Sequence, residues 1–394
     1  MSKLRVVLVT RRFWPLVGGA ERVMANLATS LAESGVAITL LTARWERAWP
    51  AEVIHRGVRV VRLDQPAVRG WGTLRYMQRL ARWLTEHRAN FDLVYLSMLK
   101  HDAYAALGAS RKAGFPVVLR AEGAGATGDV AWQRSGRFGR RIAARCHQAS
   151  ALVAPSRAIQ AELLAAGYAR ERIKLIPNAV PIVPPRESDA RAEARAALAE
   201  AHPLLNVPRG APLVVYTGRL HAAKGLSDLI AAWRTIAERW PAARLWLVGD
   251  GPHRRALADE IEASQLDGRV VLCGAYDSVD DFLAAADCFV LPSHEEGMSL
   301  ALLEAMAAGL PVVATDIAGN QQLVCSQRDG LLVPVGDPAA LGAAIARVLS
   351  NADLAATLGA AARRRVVEEF ALAPWTARHI ALFERVLAAH PLGG

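Results

Sequence analysis

A chain of 394 residues that is 53% hydrophobic and 21% charged is long enough for two compact domains and too apolar to be disordered. Its four cysteines lie far apart without a C-x-x-C pair, which excludes a disulfide framework and a zinc ribbon and predicts buried small side chains in a reducing cytoplasm. No stretch approaches the roughly 18 to 20 apolar residues that span a bilayer, and the apolar run at the N-terminus is too short for a signal peptide, so we expect a cytoplasmic protein, soluble or peripheral.

Charge is unevenly distributed along the chain. Residues 1–180 contain 28 Lys and Arg against 12 Asp and Glu, whereas residues 181–394 contain 19 against 25. This asymmetry indicates that the first half faces an anionic partner, with nucleic acid, an anionic membrane and a phosphorylated substrate all open. Only five of the 47 basic residues are lysines, so genomic base composition explains part of the arginine excess equally well.

The first half has the pattern of short apolar strands that alternate with helices. A strand over 4–10 precedes a loop and a helix over about 20–34. Further strands are predicted at 36–42, 58–63, 93–96, 116–119 and 151–154. Apolar strands separated by helices indicate a parallel sheet that is covered on both faces.

A proline-rich and then charged stretch indicates a linker around 181–190. The alternation then restarts, with strands predicted at 213–216, 244–248, 270–272, 288–291 and 311–314. We therefore predict two doubly wound α/β domains in series. Because ligands of such sheets bind beyond the carboxyl ends of the strands, the loops that follow the strands should carry the chemistry.

Two glycines, Gly18 and Gly19, follow the first strand and open the first helix. Such a helix start offers backbone N–H groups and partial positive charge to a phosphate or a sugar hydroxyl. A plain turn with a helix cap explains the same residues, since the pattern is neither G-x-G-x-x-G nor Walker. Both interpretations stay open.

In the second half, Gly218, Arg219 and Lys224 follow the strand at 213–216. A forked guanidinium and a point-charge ammonium at one strand end suit a diphosphate, with solvated surface cations as the alternative. The next strand leads into a sharp loop with Gly249 and Gly251, which lets backbone approach a ring or a phosphate closely.

Residues 293–307 combine two carboxylates with a helix predicted over 300–307. Glu296 precedes this helix and Glu304 is expected about two turns inside it, so their separation is mainly axial. If the intervening residues form the first turn, their N–H groups can bind phosphate while Glu304 accepts hydrogen bonds from ribose hydroxyls. Those residues are Gly297, Met298 and Ser299. A capping glutamate and a solvated helix glutamate are the alternative.

Several segments occur together in the order and spacing of one known family. They are 18–21, 176–179, 217–220 with 224–225, 248–252, 291–293 with 296–297, and 303–313. In these segments the chain resembles the retaining glycosyltransferases of family 4, a large bacterial group with the GT-B fold. The resemblance implies two Rossmann-like domains that face each other across a cleft, with residues 1–183 as the first and 184–373 as the second. It also implies that a C-terminal helix, within 374–394, returns to complete the first domain.

The resemblance implies a role for each matching residue. Arg219 and Lys224 would hold the donor diphosphate, Glu304 the ribose and Glu296 the transferred sugar. The remaining donor-site residues would be Gly218, Gly249, Gly251, Gly297, Met298 and Ser299, with Gly18 and Gly19 lining the cleft from the other domain. Cations and helix dipoles stabilise the leaving diphosphate in this family, so neither a metal nor a cofactor is expected beyond the nucleotide sugar. Retention is usually explained by front-face attack.

The chain departs from the family at two places. Many members carry a histidine after an N-terminal-domain strand, where it faces the transferred sugar. Here Arg120 follows the strand and takes that position, unless His101 does; a structural role is the alternative for His101. After Gly319 the chain has Asn320-Gln321-Gln322-Leu323, a segment where relatives often carry a glutamate, which bears on donor-sugar preference.

The acceptor side is predicted from a basic stretch over 133–147. At helical spacing, one stripe would contain Arg134, Arg137, Arg141 and Arg145, with Trp132, Phe138 and Ile142 adding apolar contact. Each arginine near anionic lipid contributes about 1 kcal/mol. The stripe therefore predicts peripheral attachment to the inner leaflet and access to a lipid-linked acceptor, with a solvated basic face as the alternative.

We predict a retaining, metal-independent hexosyltransferase that uses a UDP- or GDP-linked sugar. Its acceptor would be a glycan or a lipid-linked saccharide in cell-surface polysaccharide or glycolipid synthesis. A nucleotide-sugar epimerase or hydrolase of the same fold is the main alternative. A nucleic-acid-binding protein lacks a supporting motif, so no nucleic-acid partner is expected. A catalytically dead scaffold is disfavoured by the intact Arg219, Lys224, Glu296 and Glu304.

Overall fold

The computed structural model describes residues 4–16, 18–66, 68, 70–184 and 189–390. The chain divides into two compact units. The described residues of 4–16, 20–178 and 372–390 form the first unit, and 179–371 with Gly18 and Gly19 form the second. Part of the predicted linker, 185–188, and the end of the predicted C-terminal helix, 391–394, lie outside the described residues.

The first unit contains an eight-stranded sheet. Its strands are β1 (Arg5–Val9), β2 (Ala37–Arg44), β3 (Glu52–His55), β4 (Val58–Asp64), β5 (Leu93–Ser97), β6 (Val117–Arg120), β7 (Ala151–Ala154) and β8 (Ile173–Leu175). They lie in the order β3-β4-β2-β1-β5-β6-β7-β8, and only the β3–β4 pair is antiparallel. Strands β5 to β7 are buried along their whole length, as an apolar parallel sheet covered on both faces requires.

Helices connect these strands. They are α1 (Gly19–Glu33), α2 (Trp71–Glu86), α3 (His101–Ala113), α4 (Asp129–Ser135), α5 (Gly139–Cys146) and α6 (Arg157–Ala165). Helix α3 packs between α2 and α5, so these three cover one face of the sheet side by side.

The second unit contains a six-stranded sheet in which all pairs are parallel. Its strands are β9 (Leu213–Thr217), β10 (Arg244–Val248), β11 (Val270–Gly274), β12 (Cys288–Leu291), β13 (Val312–Thr315) and β14 (Leu331–Val333), in the order β11-β10-β9-β12-β13-β14. Its helices are α7 (Ala190–Ala201), α8 (Leu226–Arg239), α9 (Arg254–Ala263), α10 (Asp280–Ala285), α11 (Leu300–Ala307), α12 (Ala318–Gln321), α13 (Pro338–Leu349) and α14 (Ala352–Glu369). The predicted class, two doubly wound α/β sheets, is confirmed.

All eleven predicted strands are present, and the sequence analysis missed β3, β8 and β14. Strands β8 and β14 have only three residues each, too few to show a period. Strand β3 is a four-residue edge strand whose residues are all at least partly exposed, so it lacks the buried apolar run of the others. Short strands at sheet edges thus escape prediction from hydrophobic pattern alone.

The C-terminal helix α15 (Leu372–Ala388) belongs to the first unit. Thr376 of α15 donates a hydrogen bond from Oγ1 to Ser30 Oγ on α1 at 2.7 Å. His379 is fully buried against Tyr95 of β5, and its Nδ1 lies 3.0 Å from the Trp375 carbonyl oxygen. Since that nitrogen must carry the proton, Nε2 accepts from the Tyr95 hydroxyl at 3.2 Å.

Acid should weaken the attachment of α15. Burial lowers the pKa of His379 from 6.5 to about 3, so below pH 6.5 the unfolded chain binds a proton that the folded chain does not. The free energy of unfolding should therefore fall as pH drops from 6.5 towards 3, by about 1.4 kcal/mol per pH unit from this group. We expect His379→Gln to lose that pH-dependent contribution. The free energies of unfolding of variant and wild type should therefore approach each other as the pH falls. Urea denaturation at several pH values measures this, and parallel profiles would contradict it.

Two smaller findings complete the fold. The expectation of four buried cysteines holds for Cys146 and Cys288, but Cys273 is half-buried and Cys325 is exposed. Within the described residues no single helix is long and apolar enough to cross a bilayer, although α13 and α14, bent by 100° at their junction, satisfy the length and composition test as a pair.

Candidate functional site

The sheet of the second unit reverses its direction of growth between β9 and β12. From β9 the chain adds β10 and β11 on one side, and from β12 it adds β13 and β14 on the other. The loops after two such neighbouring strands open a crevice at the carboxyl edge, which is where doubly wound sheets bind ligands. Arg219 and Lys224 lie in the loop after β9, and Glu296 lies in the loop after β12.

Lys224 and Glu296 meet at this switch point. Lys224 Nζ donates to Glu296 Oε1 at 2.5 Å, and Ser293 Oγ donates to the same oxygen at 2.8 Å. The two charged side chains are 24% and 10% exposed, so the pair is partly screened from water yet reachable. The sequence placed both residues in the donor site but did not predict that they form an ion pair.

Backbone and side-chain contacts hold the loop after β12 against the loop after β9 and the start of α8. His294 N donates to the Ala223 carbonyl oxygen at 2.9 Å, and His294 Nε2 lies 2.7 Å from Asp228 Oδ2. Gly225 has φ 63°, and a Cβ there would stand 2.0 Å from the Pro292 carbonyl oxygen. Glycine at 225 is therefore required both by its left-handed backbone and by the close approach of the neighbouring loop.

The predicted glycines in the loops after β9 and β10 lie where the backbones of these two loops approach each other closely. A Cβ on Gly249, whose φ is 148°, would stand 1.8 Å from the Gly218 carbonyl oxygen, and one on Gly251 would stand 2.2 Å from that of Leu220. Leu220 N in turn donates to the Asp250 carbonyl oxygen at 3.0 Å. These glycines bring two loops into contact, and their contact with a donor stays a prediction.

Arg219 lies on the surface at the start of the β9 loop, with its side chain exposed. Its carbonyl oxygen accepts a hydrogen bond from the hydroxyl of Tyr216 at 3.1 Å. Tyr216 is fully buried, and burial raises the pKa of its phenol well above the usual value, with the Glu296 carboxylate adding to the shift. Tyr216 thus supports the loop from below as a neutral donor, a role that a strand tyrosine does not reveal in the sequence.

Helix α11 begins as predicted, at Leu300, with Ser299 as its N-cap. Ser299 Oγ accepts from Leu302 N at 3.2 Å. Gly297 and Met298 precede the cap, so the conditional placement of these residues in the first helical turn is wrong. Glu304 is the fifth helical residue, which puts it in the second turn rather than two turns inside the helix.

A second layer of residues fixes the loop that carries Glu296. A Cβ on Gly319 would stand 2.4 Å from the Glu296 carbonyl oxygen, so glycine is needed there. Thr315 Oγ1 donates to the Ser293 carbonyl oxygen, and Asn320 Nδ2 donates to the Thr315 carbonyl oxygen at 2.9 Å. Asn320 is fully buried, so its side chain supports the site from within.

In the first unit, Arg120 ends β6 and is only 1% exposed. It forms an ion pair with Glu122 and donates to Asn178 Oδ1. Glu122 also accepts from Ser97 Oγ at 2.6 Å, and burial raises its pKa. These contacts anchor strand ends to one another, so the part of Arg120 in facing a transferred sugar stays a prediction.

Asp129, which the sequence analysis did not single out, joins two of these loops. Its Oδ1 accepts from Leu99 N at 3.1 Å and its Oδ2 accepts from Glu122 N at 2.8 Å. His101 opens α3 nearby, with its ring centroid 5.1 Å from that of Trp132. Burial lowers the pKa of His101, with Arg11 and Lys100 adding to the shift, so the imidazole is neutral near pH 7.

The expected arginine stripe over 133–147 is interrupted. Helix α4 ends at Ser135 and α5 begins at Gly139, where a Cβ would stand 2.0 Å from the Gln133 carbonyl oxygen, so the chain turns sharply instead of continuing as one helix. The guanidinium of Arg145 lies over the ring of Tyr104, with its central carbon 3.6 Å from the ring centroid. Ile142 is buried in the core and offers no surface contact. Arg134, Arg137 and Arg141 remain exposed, beside an exposed Phe138.

The sequence matches one family model in each half. Residues 17–183 match Glycosyltransferase Family 4, and residues 211–351 match Glycosyl transferases group 1. The chain belongs to the family 4 glycosyltransferases. The resemblance recognised in the sequence is thereby confirmed.

Curated relatives of this family 4 glycosyltransferase are themselves named as sugar transferases. A 2-deoxystreptamine N-acetyl-D-glucosaminyltransferase of Streptomyces fradiae is 35% identical over 49% of this chain and 50% of that protein. The lipopolysaccharide core biosynthesis glycosyltransferase LpsE of Rhizobium meliloti is 34% identical over 42% of this chain and 48% of that protein. The chain thus spans about half the length of each of these relatives.

Solved structures resemble this family 4 glycosyltransferase over nearly its whole length. Sucrose-phosphate synthase from Thermosynechococcus elongatus has a TM-score of 0.82 at 24% identity, over 98% of this chain and 100% of that one. Anabaena HepE in complex with UDP and glucose has a TM-score of 0.79 at 20% identity, over 97% of this chain and 99% of that one. These likenesses show the GT-B fold.

Proposed function

We propose that the protein transfers a hexose-type sugar from a UDP- or GDP-linked donor to a glycan or lipid-linked acceptor, with retention of configuration and without a metal. It would act on the cytoplasmic side of the membrane in cell-surface polysaccharide or glycolipid synthesis. The observation that carries the proposal is the meeting of Lys224 and Glu296 at the β9/β12 switch point, with Arg219 on the same loop.

In this proposal the two cations stabilise the leaving diphosphate. The Lys224 ammonium is paired with Glu296, so a bound diphosphate would compete with the Glu296 carboxylate for this ammonium. Glu296 would then turn towards hydroxyl groups of the transferred sugar. Arg219, exposed at the neighbouring strand end, would supply the forked contact to the two phosphates. Positive charge fixed at the point where negative charge develops is the main source of rate enhancement in such a site.

Support for the nucleotide comes from the fold as well as from the site. A structure of similar fold, Anabaena HepE, contains UDP and glucose. Glu304, in the second turn of α11, would hold the ribose, and Gly297 and Met298 would present backbone N–H groups beside the cap residue Ser299. Gly18 and Gly19 at the start of α1 would also contact the donor.

Nucleotide binding tests the proposal directly. We expect one of UDP, GDP and ADP to raise the melting temperature selectively, because a ligand that binds only the folded state stabilises it. Glu304→Ala should lose most of that shift, whereas Glu262→Ala, which removes an exposed carboxylate from α9, should keep it. If no nucleotide raises the melting temperature of the wild type, the proposal is wrong. Release of free sugar from the matching donor without any acceptor would instead identify a hydrolase.

A further inference from the structure

Exposed apolar side chains are concentrated in one part of the first unit. Of the twelve large hydrophobic residues exposed within the described chain, six lie between positions 14 and 74. We name four of these residues the aromatic edge: Trp14, Trp45, Trp71 and Leu74, which are 37% to 50% exposed. A cluster of this kind on a folded surface marks an interaction site more often than isolated exposed residues do.

The topology brings three of these four residues, Trp45, Trp71 and Leu74, to the same edge of the sheet. Trp14 follows β1, Trp45 follows β2, and Trp71 and Leu74 open α2, which follows β4. Strands β4, β2 and β1 are neighbours and run parallel, so the segments that follow them emerge side by side at the carboxyl edge. Trp45, Trp71 and Leu74 therefore share one surface, while Trp14 reaches towards β3, where its ring stacks on that of His55 with centroids 5.2 Å apart.

Two arginines hold the rings in place. Trp45 Nε1 donates to the Arg11 carbonyl oxygen at 3.0 Å, while Arg11 itself donates to Thr73 Oγ1 of α2 at 2.8 Å. Arg62, which is buried, donates to the Trp14 carbonyl oxygen at 3.0 Å and lies 5.8 Å from the Trp14 ring centroid. Rings that are fixed in exposed positions lose little conformational entropy on binding, which favours a docking role.

The charge around the aromatic edge is strongly positive. Residues 11–14, 44–47, 62–64 and 71–79, which lie at or follow the carboxyl ends of β1, β2 and β4, contain seven arginines and two carboxylates. One of those carboxylates, Asp64, is already shared between Arg44 at 3.2 Å and Arg79 at 2.8 Å. Arg75 and Arg82 are exposed on α2, and Arg75 lies 5.0 Å from the ring centroid of Trp71. The partner of this surface is therefore anionic as well as apolar.

The remaining arginine surface extends the same positive field. Helices α2, α3 and α5 cover one face of the sheet in that order, and α4 follows β6 at the same carboxyl edge. The exposed Arg134, Arg137 and Arg141 thus lie on the face that carries α2, beyond α3. Together the two sets would meet a broad anionic surface more readily than a single small ligand.

We propose that the aromatic edge docks on an anionic bilayer, with Trp71 and Leu74 at the boundary between headgroups and acyl chains and with Arg75 and Arg82 on lipid phosphates. Tryptophan favours that boundary, and arginines of an amphipathic helix add attraction to anionic lipid. A glycan would use the indole faces but gains little from the exposed aliphatic Leu74, so the apolar content favours lipid. The docking rests on the proposed function only in its purpose, which is access to a lipid-linked acceptor.

Vesicle co-sedimentation tests the docking. At low salt, the wild-type chain should bind vesicles of phosphatidylcholine mixed with phosphatidylglycerol and should bind pure phosphatidylcholine much more weakly. The double variant Trp71→Ala/Leu74→Ala should bind with an affinity that is lower by about tenfold or more, because it lacks the free energy gained when these two apolar side chains enter the bilayer. The matched variant Leu204→Ala/Val367→Ala removes two exposed apolar side chains of the second unit and should bind like the wild type. Arg75→Glu/Arg82→Glu should weaken binding to anionic vesicles only.

Three results would overturn the docking: no binding of the wild type at low salt, equal binding of the double variant, or a tryptophan fluorescence change with soluble oligosaccharide but not with vesicles. The last result would identify a glycan surface. The nucleotide-induced rise in melting temperature serves as the independent readout. The double variant should keep that rise, and a wild type that binds vesicles but no nucleotide would disprove the proposed function while leaving the docking intact.

Discussion

Replacing Lys224 by alanine is expected to reduce sugar transfer by about 100-fold to 1,000-fold, the usual effect of removing one fixed donor from a site where charge develops. The variant should still fold, because Glu296 keeps its hydrogen bond from Ser293 and remains partly exposed. Nucleotide release from the sugar donor that matches the nucleotide selected by thermal shift measures the rate.

Lys112→Ala is the matched control for that experiment. Lys112 is an exposed lysine in the last turn of α3, so its removal changes the net charge equally without touching the β9 loop. We expect wild-type transfer from this control. Wild-type transfer from Lys224→Ala as well would refute the assignment of the diphosphate site.

Gly249→Ala should destabilise the second unit by about 2 to 5 kcal/mol, since it combines backbone strain with a steric collision. The new Cβ would stand 1.8 Å from the Gly218 carbonyl oxygen, and because that oxygen belongs to the backbone, it cannot move aside as a flexible side chain could. The β9 and β10 loops would have to separate, and Arg219 would move with them. We therefore expect nucleotide binding to be lost together with stability, as urea denaturation and thermal shift would show.

The same substitution elsewhere in the second unit calibrates that result. At Gly342 of α13 the added Cβ would meet the nearest atom, the Ala232 carbonyl oxygen, at 3.4 Å, an ordinary contact. Alanine also has the higher helix propensity, by up to about 1 kcal/mol. Gly342→Ala should therefore be neutral or stabilising. Similar losses for the two variants would mean that the Gly218–Gly249 crossing has no special role.

Much of the fold followed from pattern because the buried strands are short, apolar and separated by helices. The switch point could be expected once β9 and β12 were recognised, since the residues after them, Arg219, Lys224 and Glu296, are the polar groups that a ligand would meet. What the sequence did not reveal is pairing across distance. Nothing in the residues around Lys224 indicates that its partner is 72 positions away.

The wrong predictions have a common physical cause. The stripe from Arg134 to Arg145 has helical spacing, but a close backbone approach at Gly139 redirects the chain, and Arg145 finds the ring of Tyr104. Periodicity reports local preference, whereas tertiary contacts decide where a helix stops. The sequence likewise did not reveal that Arg120 is buried and donates to Asn178, 58 positions away, although its role towards a transferred sugar stays a prediction.

The position of α15 in the first unit has a consequence for biosynthesis. The sheet from β1 to β8 precedes the second unit in the chain, yet the helix that covers Tyr95 and Ser30 follows it and is made later. The second unit, which apart from Gly18 and Gly19 is contiguous from 179 to 371, can complete its core while the first still waits for its closing helix. The nascent first unit must therefore survive with an open apolar flank until the whole second unit has been made, which is the interval in which chaperones would be needed.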